Sequence, residues 1–165
     1  MKYPRFAGEY PPLKLIPEYY SSNPILRYVF RNRLAIAMKM AHLQESDILL
    51  DIGTGPGLLM LGASNQVNVA LGLDIHRMLP SVRQMLNSSG VGNHELIRAD
   101  ANYLPIKNQS ISLVFALDVL EHIPTAVLVI QEINRVLKEH GRAVISIPME
   151  NFLYRIGRLI FKFAK

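Results

Sequence analysis

Three alternate glycines and two aspartates form the pattern with the clearest chemical meaning in this sequence. The glycines are Gly53, Gly55 and Gly57. Asp51 lies two positions before the first of them, and Asp74 lies 17 positions after the last. Glycine lets a backbone adopt positive φ angles and approach a ligand closely. An acidic residue at the end of the next strand is typical of sites that bind the hydroxyls of a ribose. The pattern therefore predicts a pocket for a nucleoside-bearing ligand.

The spacing of the glycines separates two classes of nucleoside ligand. A dinucleotide site has the pattern G-x-G-x-x-G, but here Leu58 or Met60 stands where its third glycine would be. No lysine follows, as a phosphate-binding loop would require. The carboxylate of Asp51 would repel a phosphate, whereas it would attract an ammonium group or a sulfonium. The residues favour a nucleoside that carries an amino acid, and they disfavour a nicotinamide-dependent oxidoreductase.

Alternating strands and helices are needed to position these residues. Apolar runs and helical periodicity predict strands at 47–52, 68–74, 94–99, 112–117 and 142–147, and helices at 56–64, 78–88 and 124–138. This alternation predicts an α/β fold with a doubly wound, Rossmann-like, mainly parallel sheet of about five strands. The glycines and Asp74 would then follow the carboxyl ends of neighbouring strands, where open parallel sheets bind their ligands.

One more helix is predicted ahead of the sheet. Residues 1 to about 23 are rich in proline and tyrosine, which predicts an extended arm. Asn23 and Pro24 suit the N-cap and first position of a helix that runs to about His42. Five apolar residues are assigned to the buried face of this helix: Ile25, Val29, Ile36, Met40 and Leu43.

The last 15 residues, 151–165, have the pattern of an amphipathic helix. Their apolar stripe is Phe152, Leu153, Ile156, Leu159, Ile160 and Phe163, with four basic residues off it. Three interpretations remain open. The helix covers the last edge of the sheet, which is the preferred interpretation, or it contacts a membrane surface, or it forms a dimer contact.

Composition excludes several classes of protein. The sequence has no cysteine, which excludes a disulfide framework and thiolate metal sites, and its histidines lack the spacing of metal ligands. It has neither a secretory leader nor an apolar run that could span a bilayer, which predicts a cytoplasmic protein. The net charge of +5 is concentrated towards the ends, without the aromatic–basic interleaving of RNA-binding strands. No nucleic-acid partner is expected.

Five segments, in order, resemble the motifs of class I S-adenosylmethionine-dependent methyltransferases. They are 48–57, 71–75, 98–101 with 104–106, 113–122, and 132–138 with 141–146. The sequence is most similar to the small-molecule group that includes quinone-biosynthesis methyltransferases. It departs from the family after Pro148, because the family fold ends with two further strands and the chain has no room for them.

The resemblance implies a domain organisation and a set of cofactor-binding residues. Residues 1–46 would form an N-terminal arm and lid helix, 47–148 the cofactor-binding core, and 149–165 the C-terminal amphipathic helix. The implied residues that bind S-adenosylmethionine are Asp51, Gly53, Thr54, Gly55, Gly57, Asp74, Ile75, Asp100, Ala101, Leu117, Asp118 and Tyr20.

The resemblance also implies a role for several of these residues. Asp100 would accept a hydrogen bond from the adenine amino group, and the Ala101 N–H would meet a ring nitrogen. Leu117 and Asp118 would contact the methionine moiety through their backbone, and Tyr20 would reach its carboxylate from the lid. Other roles stay open, since Asp74 would also suit a helix cap, Asp118 would also suit a cap of the segment after it, and a tyrosine on the arm would also suit an anchor.

The implied activity is methyl transfer to a small acceptor molecule, for which a lipophilic compound is one option. The alternative is a module that binds S-adenosylmethionine without turnover, as a sensor or an inactive subunit. No residue is assigned as catalytic, and no metal is expected. His122 is a candidate general base, because histidine titrates near neutral pH, but a structural role before the next helix is the favoured interpretation.

Overall fold

The structure is a computed structural model that describes residues 22–147. These residues form a parallel five-stranded sheet with helices on both faces. The elements, in order, are α1 (Pro24–Ala41), β1 (Ile48–Ile52), α2 (Leu58–Ala63), β2 (Val69–Asp74), α3 (Leu79–Ser88), β3 (His94–Arg98), β4 (Ile111–Leu117), α4 (Ala126–Val136) and β5 (Leu137–Ser146). The strand order is β3-β2-β1-β4-β5, and each pairing is parallel. The predicted doubly wound α/β fold is confirmed.

The two central strands are apolar on both faces. Successive side chains of a strand point to opposite sides of the sheet. In β1, Leu49 therefore packs against α1, α2 and α3, while Leu50 packs against α4. Phe115 and Val114 of β4 divide in the same way. Burial on both sides explains why these strands read as continuous apolar runs rather than as alternating ones.

The strand order reverses direction between β1 and β4. From β1 the chain adds β2 and then β3 on one side, and it crosses over to add β4 and β5 on the other. A crevice forms at the carboxyl ends of strands where such a reversal occurs, and it is the usual ligand site of this architecture. The glycine turn, residues 53–57, directly follows β1 and therefore borders that crevice.

The position of α1 was predicted correctly, but its buried face was not. The N-cap is confirmed, because the Asn23 side chain accepts a hydrogen bond from Ile25 N–H at 2.9 Å. The helix nevertheless leaves Ile25 70% exposed and Met40 66% exposed, and Val29 and Ile36 are also exposed.

The buried stripe of α1 consists of smaller residues. Leu34, Ala37 and Ala41 are buried, and Met38 packs beside them together with the predicted Leu43. This stripe has the same i, i+3, i+4, i+7 spacing as a conventional helix face. The helix is apolar around most of its circumference, so its sequence allows more than one stripe. Two alanines let the backbone approach the sheet more closely than the larger residues would, and that contact selects the face.

Arg142 connects the end of α1 to the sheet through hydrogen bonds, and it also forms an ion pair with the loop before β1. Arg142 of β5 donates to the Ala41 carbonyl at 2.9 Å, to the His42 carbonyl at 3.0 Å and to Asp47 at 2.6 Å. Asp47 is only 2% exposed, and it also accepts from Gln44 N–H. The contacts link the helix, the loop before β1 and the edge strand.

We expect Arg142→Ala to lower the free energy of unfolding by about 2–4 kcal/mol. Removing one partner leaves a buried charge without compensation, which costs about 3–5 kcal/mol when both partners are buried; here the arginine is 34% exposed, so the loss is smaller. Urea unfolding measures it. Lys138→Ala removes the same charge from an exposed position nearby and should change stability by less than about 0.5 kcal/mol. Equal effects of the two variants would contradict this role for Arg142.

Some predictions concern residues outside 22–147. These are the N-terminal arm with Tyr20, and the amphipathic helix at 151–165 with its three interpretations. They stay predictions, as do the domain boundaries. Among the described helices, none combines the length and apolar character needed to cross a bilayer. The cytoplasmic location also stays a prediction.

Candidate functional site

A cavity of about 620 Å³ opens at the carboxyl ends of the strands, beside the reversal point. Residues predicted for the cofactor site line it: Asp51, Gly53, Thr54, Gly55, Asp74, Ile75, Asp100, Ala101, Leu117 and Asp118. They come from four strand ends and are far apart in sequence. Gly57 does not line the cavity but is buried beneath the turn.

The three glycines of the turn have positive φ angles for different local reasons. The angles are 73° at Gly53, 51° at Gly55 and 78° at Gly57. A Cβ atom on Gly53 would lie 2.7 Å from Val119, and one on Gly57 would lie 2.7 Å from Val82. A Cβ on Gly55 would find no protein atom nearer than the Gly53 carbonyl at 3.9 Å. Packing explains two of the glycines, while Gly55 faces open space in the cavity.

Asp74 joins the end of β2 to the glycine turn. Its Oδ2 accepts a hydrogen bond from Gly55 N–H at 2.8 Å, and its Oδ1 accepts from Ile75 N–H at 2.7 Å and His76 N–H at 3.2 Å. The alternative role as cap of the next helix is wrong, because α3 begins only at Leu79 and has no side-chain cap. A carboxylate has about four acceptor positions, so acceptor capacity remains for a ligand hydroxyl.

His76 supports the same turn, and this role was not predicted from the sequence. Its Nδ1 accepts from Met78 N–H at 3.0 Å, so the proton must be on Nε2. Nε2 lies 3.0 Å from the Gly55 carbonyl, to which it donates. The Gly55 peptide is thus held on its N–H side by Asp74 and on its carbonyl side by His76. No local pattern signals this role, because the bond joins two loops 21 residues apart.

Asp51 is a buried carboxyl group on the cavity wall, only 3% exposed. Burial raises its pKa to about 7, because the charged form loses its hydration. The neighbouring Thr54 hydroxyl opposes this rise and Asp74 reinforces it. That hydroxyl is itself buried and makes no hydrogen bond of normal geometry with the described residues. A bound cation would stabilise the ionised form of Asp51.

We expect the stability of the protein without ligand to fall as pH rises from about 5 to 7. The folded-state pKa of Asp51 is about 7, above its ordinary value of 3.8. In this window the folded protein therefore holds a proton that the unfolded chain has lost. The contribution to the free energy of unfolding then falls by about 1.4 kcal/mol per pH unit and levels off above the folded-state pKa.

Denaturant titrations of the wild type and of Asp51→Asn between pH 5 and 8 measure this slope. Asparagine does not titrate, so its profile lacks the contribution of residue 51 and serves as the reference. Profiles that stay parallel across the window would show that the carboxyl group is ionised throughout.

The loop after β3 presents Asp100 to the cavity. Asn102 occupies Oδ1 of Asp100 through two hydrogen bonds of 2.9 Å, while Oδ2 makes none with the described residues. Arg135 of α4 holds the loop by donating to the carbonyls of Leu104 and Ile106 at 2.9 and 2.8 Å. Hydrogen bonding from Arg135 also lowers the pKa of its partner Glu132. Arg135 and Glu132 therefore support the loop that carries Asp100, but they do not line the cavity.

Asp118, after β4, connects the cavity wall to α1. It has a positive φ angle of 54° although it is not glycine. Its carboxylate accepts from the Arg33 guanidinium of α1 and from the Ser146 hydroxyl of β5, the latter at 2.8 Å. Arg33 was not predicted, because a contact across 85 residues leaves no mark in the local sequence. Leu34, the next residue of α1, lines the cavity.

His122 is exposed and lines the cavity wall at the end of the 3-10 turn Leu120–His122. Its backbone N–H bonds the Val119 carbonyl at 3.0 Å. Its imidazole makes no hydrogen bond with residues 22–147. Both roles considered for it, as a general base and as a structural residue, stay predictions.

Comparisons with known proteins agree with this architecture. The profile of the family described as methyltransferase domain matches residues 50–145, more than half of the chain. The chain therefore belongs to the methyltransferase domain family. The predicted resemblance to class I S-adenosylmethionine-dependent methyltransferases is confirmed, whereas the quinone-biosynthesis group stays a prediction.

Individual relatives are distant. Malonyl-[acyl-carrier protein] O-methyltransferase from Marinomonas sp. (strain MWYL1) is 27% identical over 128 residues, which are 75% of this chain and 46% of that protein. The crystal structure of YcgJ protein from Bacillus subtilis is 25% identical with a TM-score of 0.69, over 78% of this chain and 58% of that one. A SAM-dependent methyltransferase from Aquifex aeolicus, 18% identical with a TM-score of 0.63, over 78% of this chain and 77% of that one, shares the fold. The chain spans about half the length of the first two proteins.

Proposed function

We propose that the chain binds S-adenosylmethionine in the cavity and transfers its methyl group to a small, lipophilic acceptor. The observation that carries the proposal is the meeting of three features in one cavity. These are the open backbone at Gly55, the carboxylate of Asp74 and the buried carboxyl of Asp51. They suit, respectively, close approach of a ligand, ribose hydroxyls and an ammonium group. Family membership supports the same cofactor.

The chain would hold the cofactor at both of its ends. Asp51 would pair with the ammonium of the methionine moiety, which favours its ionised form despite burial. Asp74 would accept from the ribose hydroxyls. The Oδ2 of Asp100, which has no partner among residues 22–147, would accept from the adenine amino group. In this assignment the ammonium group, the ribose hydroxyls and the adenine amino group each meet a carboxyl group that has acceptor capacity left over from its contacts with the described residues.

The cofactor, when bound, supplies a methyl group on a positively charged sulfur, which is already a strong electrophile. The protein therefore needs mainly to align the reactants and to exclude water. Leu34, Leu117 and Val119 give part of the cavity an apolar wall, and this wall supports a lipophilic acceptor. A base is needed only for an acceptor that must lose a proton. His122 is the residue to test for that role.

The name of the Marinomonas relative states an acceptor, the malonyl group of a malonyl-[acyl-carrier protein], methylated on oxygen. A malonyl thioester therefore belongs in the set of acceptors to be tried. Hydroxylated aromatic compounds with an alkyl tail belong there as well, because they represent lipophilic acceptors.

The test has two parts, a binding measurement and a turnover measurement. Calorimetry with S-adenosylhomocysteine should give saturable binding with one site per chain. Incubation with methyl-labelled S-adenosylmethionine should transfer label to at least one acceptor of the set. Gly55→Val serves as the control that should lose both signals. Tighter binding of NADH than of S-adenosylhomocysteine would overturn the proposal in favour of an oxidoreductase.

A binding module without turnover is the alternative function. It predicts saturable binding of S-adenosylhomocysteine together with no transfer of label to any acceptor. A binding signal that responds to Gly55→Val, alongside an empty turnover assay, would favour this alternative.

A further inference from the structure

A second cavity, of about 610 Å³, lies between α3 and β3. β3 is an edge strand of the sheet and is separated from β1 by β2. Its polar lining includes His76, Arg77, Arg83, Gln84, Asn87 and Arg98; we call it the arginine groove. His76 lies between the two cavities and lines both. The proposed methyl transfer uses none of the arginines or amides of the groove.

The arginine groove carries excess positive charge. Three arginines line it, and one of them, Arg83, is paired with the carboxylate of Glu95, so these four side chains together carry a net charge of +2. The pair between Arg83 and Glu95 is long, at 3.3 Å, and both side chains are substantially exposed. Such a pair is weak and is readily replaced by another anion.

Two of the arginines keep unused hydrogen-bond donors. Arg98 donates only through Nε, to the Ile75 carbonyl at 3.1 Å. This bond orients the guanidinium and leaves both terminal nitrogens without a partner among the described residues. Arg77 makes no hydrogen bond or ion pair with residues 22–147. A partly ordered guanidinium loses less side-chain entropy on binding an anion than a mobile one.

We propose that the arginine groove binds a phosphate group of a small molecule. Guanidinium groups match the oxygens of a phosphate in a bidentate manner, and three of them in one cavity suit a doubly charged anion better than a single carboxylate. The volume lies within the range of small-molecule sites. Gln84 and Asn87 provide amides for the polar remainder of the ligand. The groove is independent of the methyl-transfer proposal.

Inorganic pyrophosphate is the probe for a first test. Calorimetry is done at low ionic strength with S-adenosylhomocysteine at saturation, so that the glycine turn is already filled. We expect one saturable site per chain. Arg77→Gln/Arg98→Gln should weaken pyrophosphate binding at least tenfold and leave the affinity for S-adenosylhomocysteine within twofold, which also shows that the variant is folded.

A matched control separates a built site from general attraction to a basic protein. Lys107→Gln/Lys138→Gln removes the same charge at exposed positions outside the groove and should change pyrophosphate affinity by less than twofold. An equal loss in both double variants would overturn the proposal, and so would the absence of saturable binding to the wild type.

A gain of affinity gives the sharpest test. Glu95→Gln removes the carboxylate that competes for Arg83, so pyrophosphate should bind two- to fivefold more tightly. A misfolded variant cannot produce this result. Unchanged or weaker binding to Glu95→Gln would mean that Arg83 does not take part in the site.

If S-adenosylhomocysteine does not bind at all, the pyrophosphate titration is repeated without it. A loss confined to Arg77→Gln/Arg98→Gln would then still support the groove. Failure of the methyl-transfer proposal and failure of the groove proposal therefore give different results.

Discussion

Replacement of Gly55 by valine is expected to abolish detectable binding of S-adenosylhomocysteine, a loss of at least about a hundredfold. The φ angle of 51° lies in the left-handed region, where a β-branched residue is an outlier. The new side chain would also extend into the cavity, because no protein atom lies within 3.9 Å of its Cβ position. Strain of about 1–2 kcal/mol is expected in the folded state, which should leave the fold intact. Calorimetry and thermal unfolding measure the two effects separately.

Gly57→Ala is the matched control for Gly55→Val, because Gly57 also has a positive φ angle but lies in a different environment. Its Cβ would lie 2.7 Å from Val82 in the core and not in the cavity. We expect it to lower the melting temperature more than Gly55→Ala does, while Gly55→Ala weakens binding more. Normal binding of S-adenosylhomocysteine to Gly55→Val would show that the glycine turn is not part of the cofactor site.

Asp74→Ala is expected to weaken binding of S-adenosylhomocysteine at least tenfold. The substitution removes the acceptor proposed for the ribose hydroxyls, and a charge-assisted hydrogen bond is worth about 1.5–3 kcal/mol. It also removes the bond from Gly55 N–H to Oδ2, 2.8 Å long. A modest loss of stability should therefore accompany the loss of affinity.

A ligand that lacks the 2′-hydroxyl separates these two contributions. If Asp74 contacts the ribose, Asp74→Ala should weaken the binding of S-adenosylhomocysteine more than the binding of its 2′-deoxy analogue. The difference is the coupling between the carboxylate and the hydroxyl, as in a double-mutant cycle. Equal losses for the two ligands would restrict Asp74 to the support of the glycine turn.

The elements of this protein were predictable because each is specified by a short stretch of sequence. The first strand was predicted at 47–52 and lies at Ile48–Ile52. The helix after it was predicted from residue 56 and begins at Leu58, since Gly57 still has a left-handed conformation. β5 was predicted from 142 and begins earlier, at Leu137. Its register against β4 shifts before Arg142, so the regular part of the strand matches the prediction.

The composition of the candidate site was predictable for a related reason. The carboxyl ends of parallel strands meet at one edge of a sheet, so residues that follow strands are brought together by topology alone. Asp51 is the penultimate residue of β1, Asp74 ends β2 and Asp100 follows β3, and all three line the same cavity. We could predict that they lie together although they are far apart in the sequence, because the order of the strands in the sheet is a general property of the fold.

By itself, then, the sequence determined the order of strands and helices, the left-handed glycine turn and the family. Only the tertiary structure decided which stripe of α1 is buried, that Arg33 bonds Asp118, that His76 holds the Gly55 carbonyl, and that burial raises the pKa of Asp51. Local periodicity and glycine conformation depend on neighbours along the chain. Each contact of the second group depends instead on how closely two distant segments approach, and packing of the whole domain sets that distance.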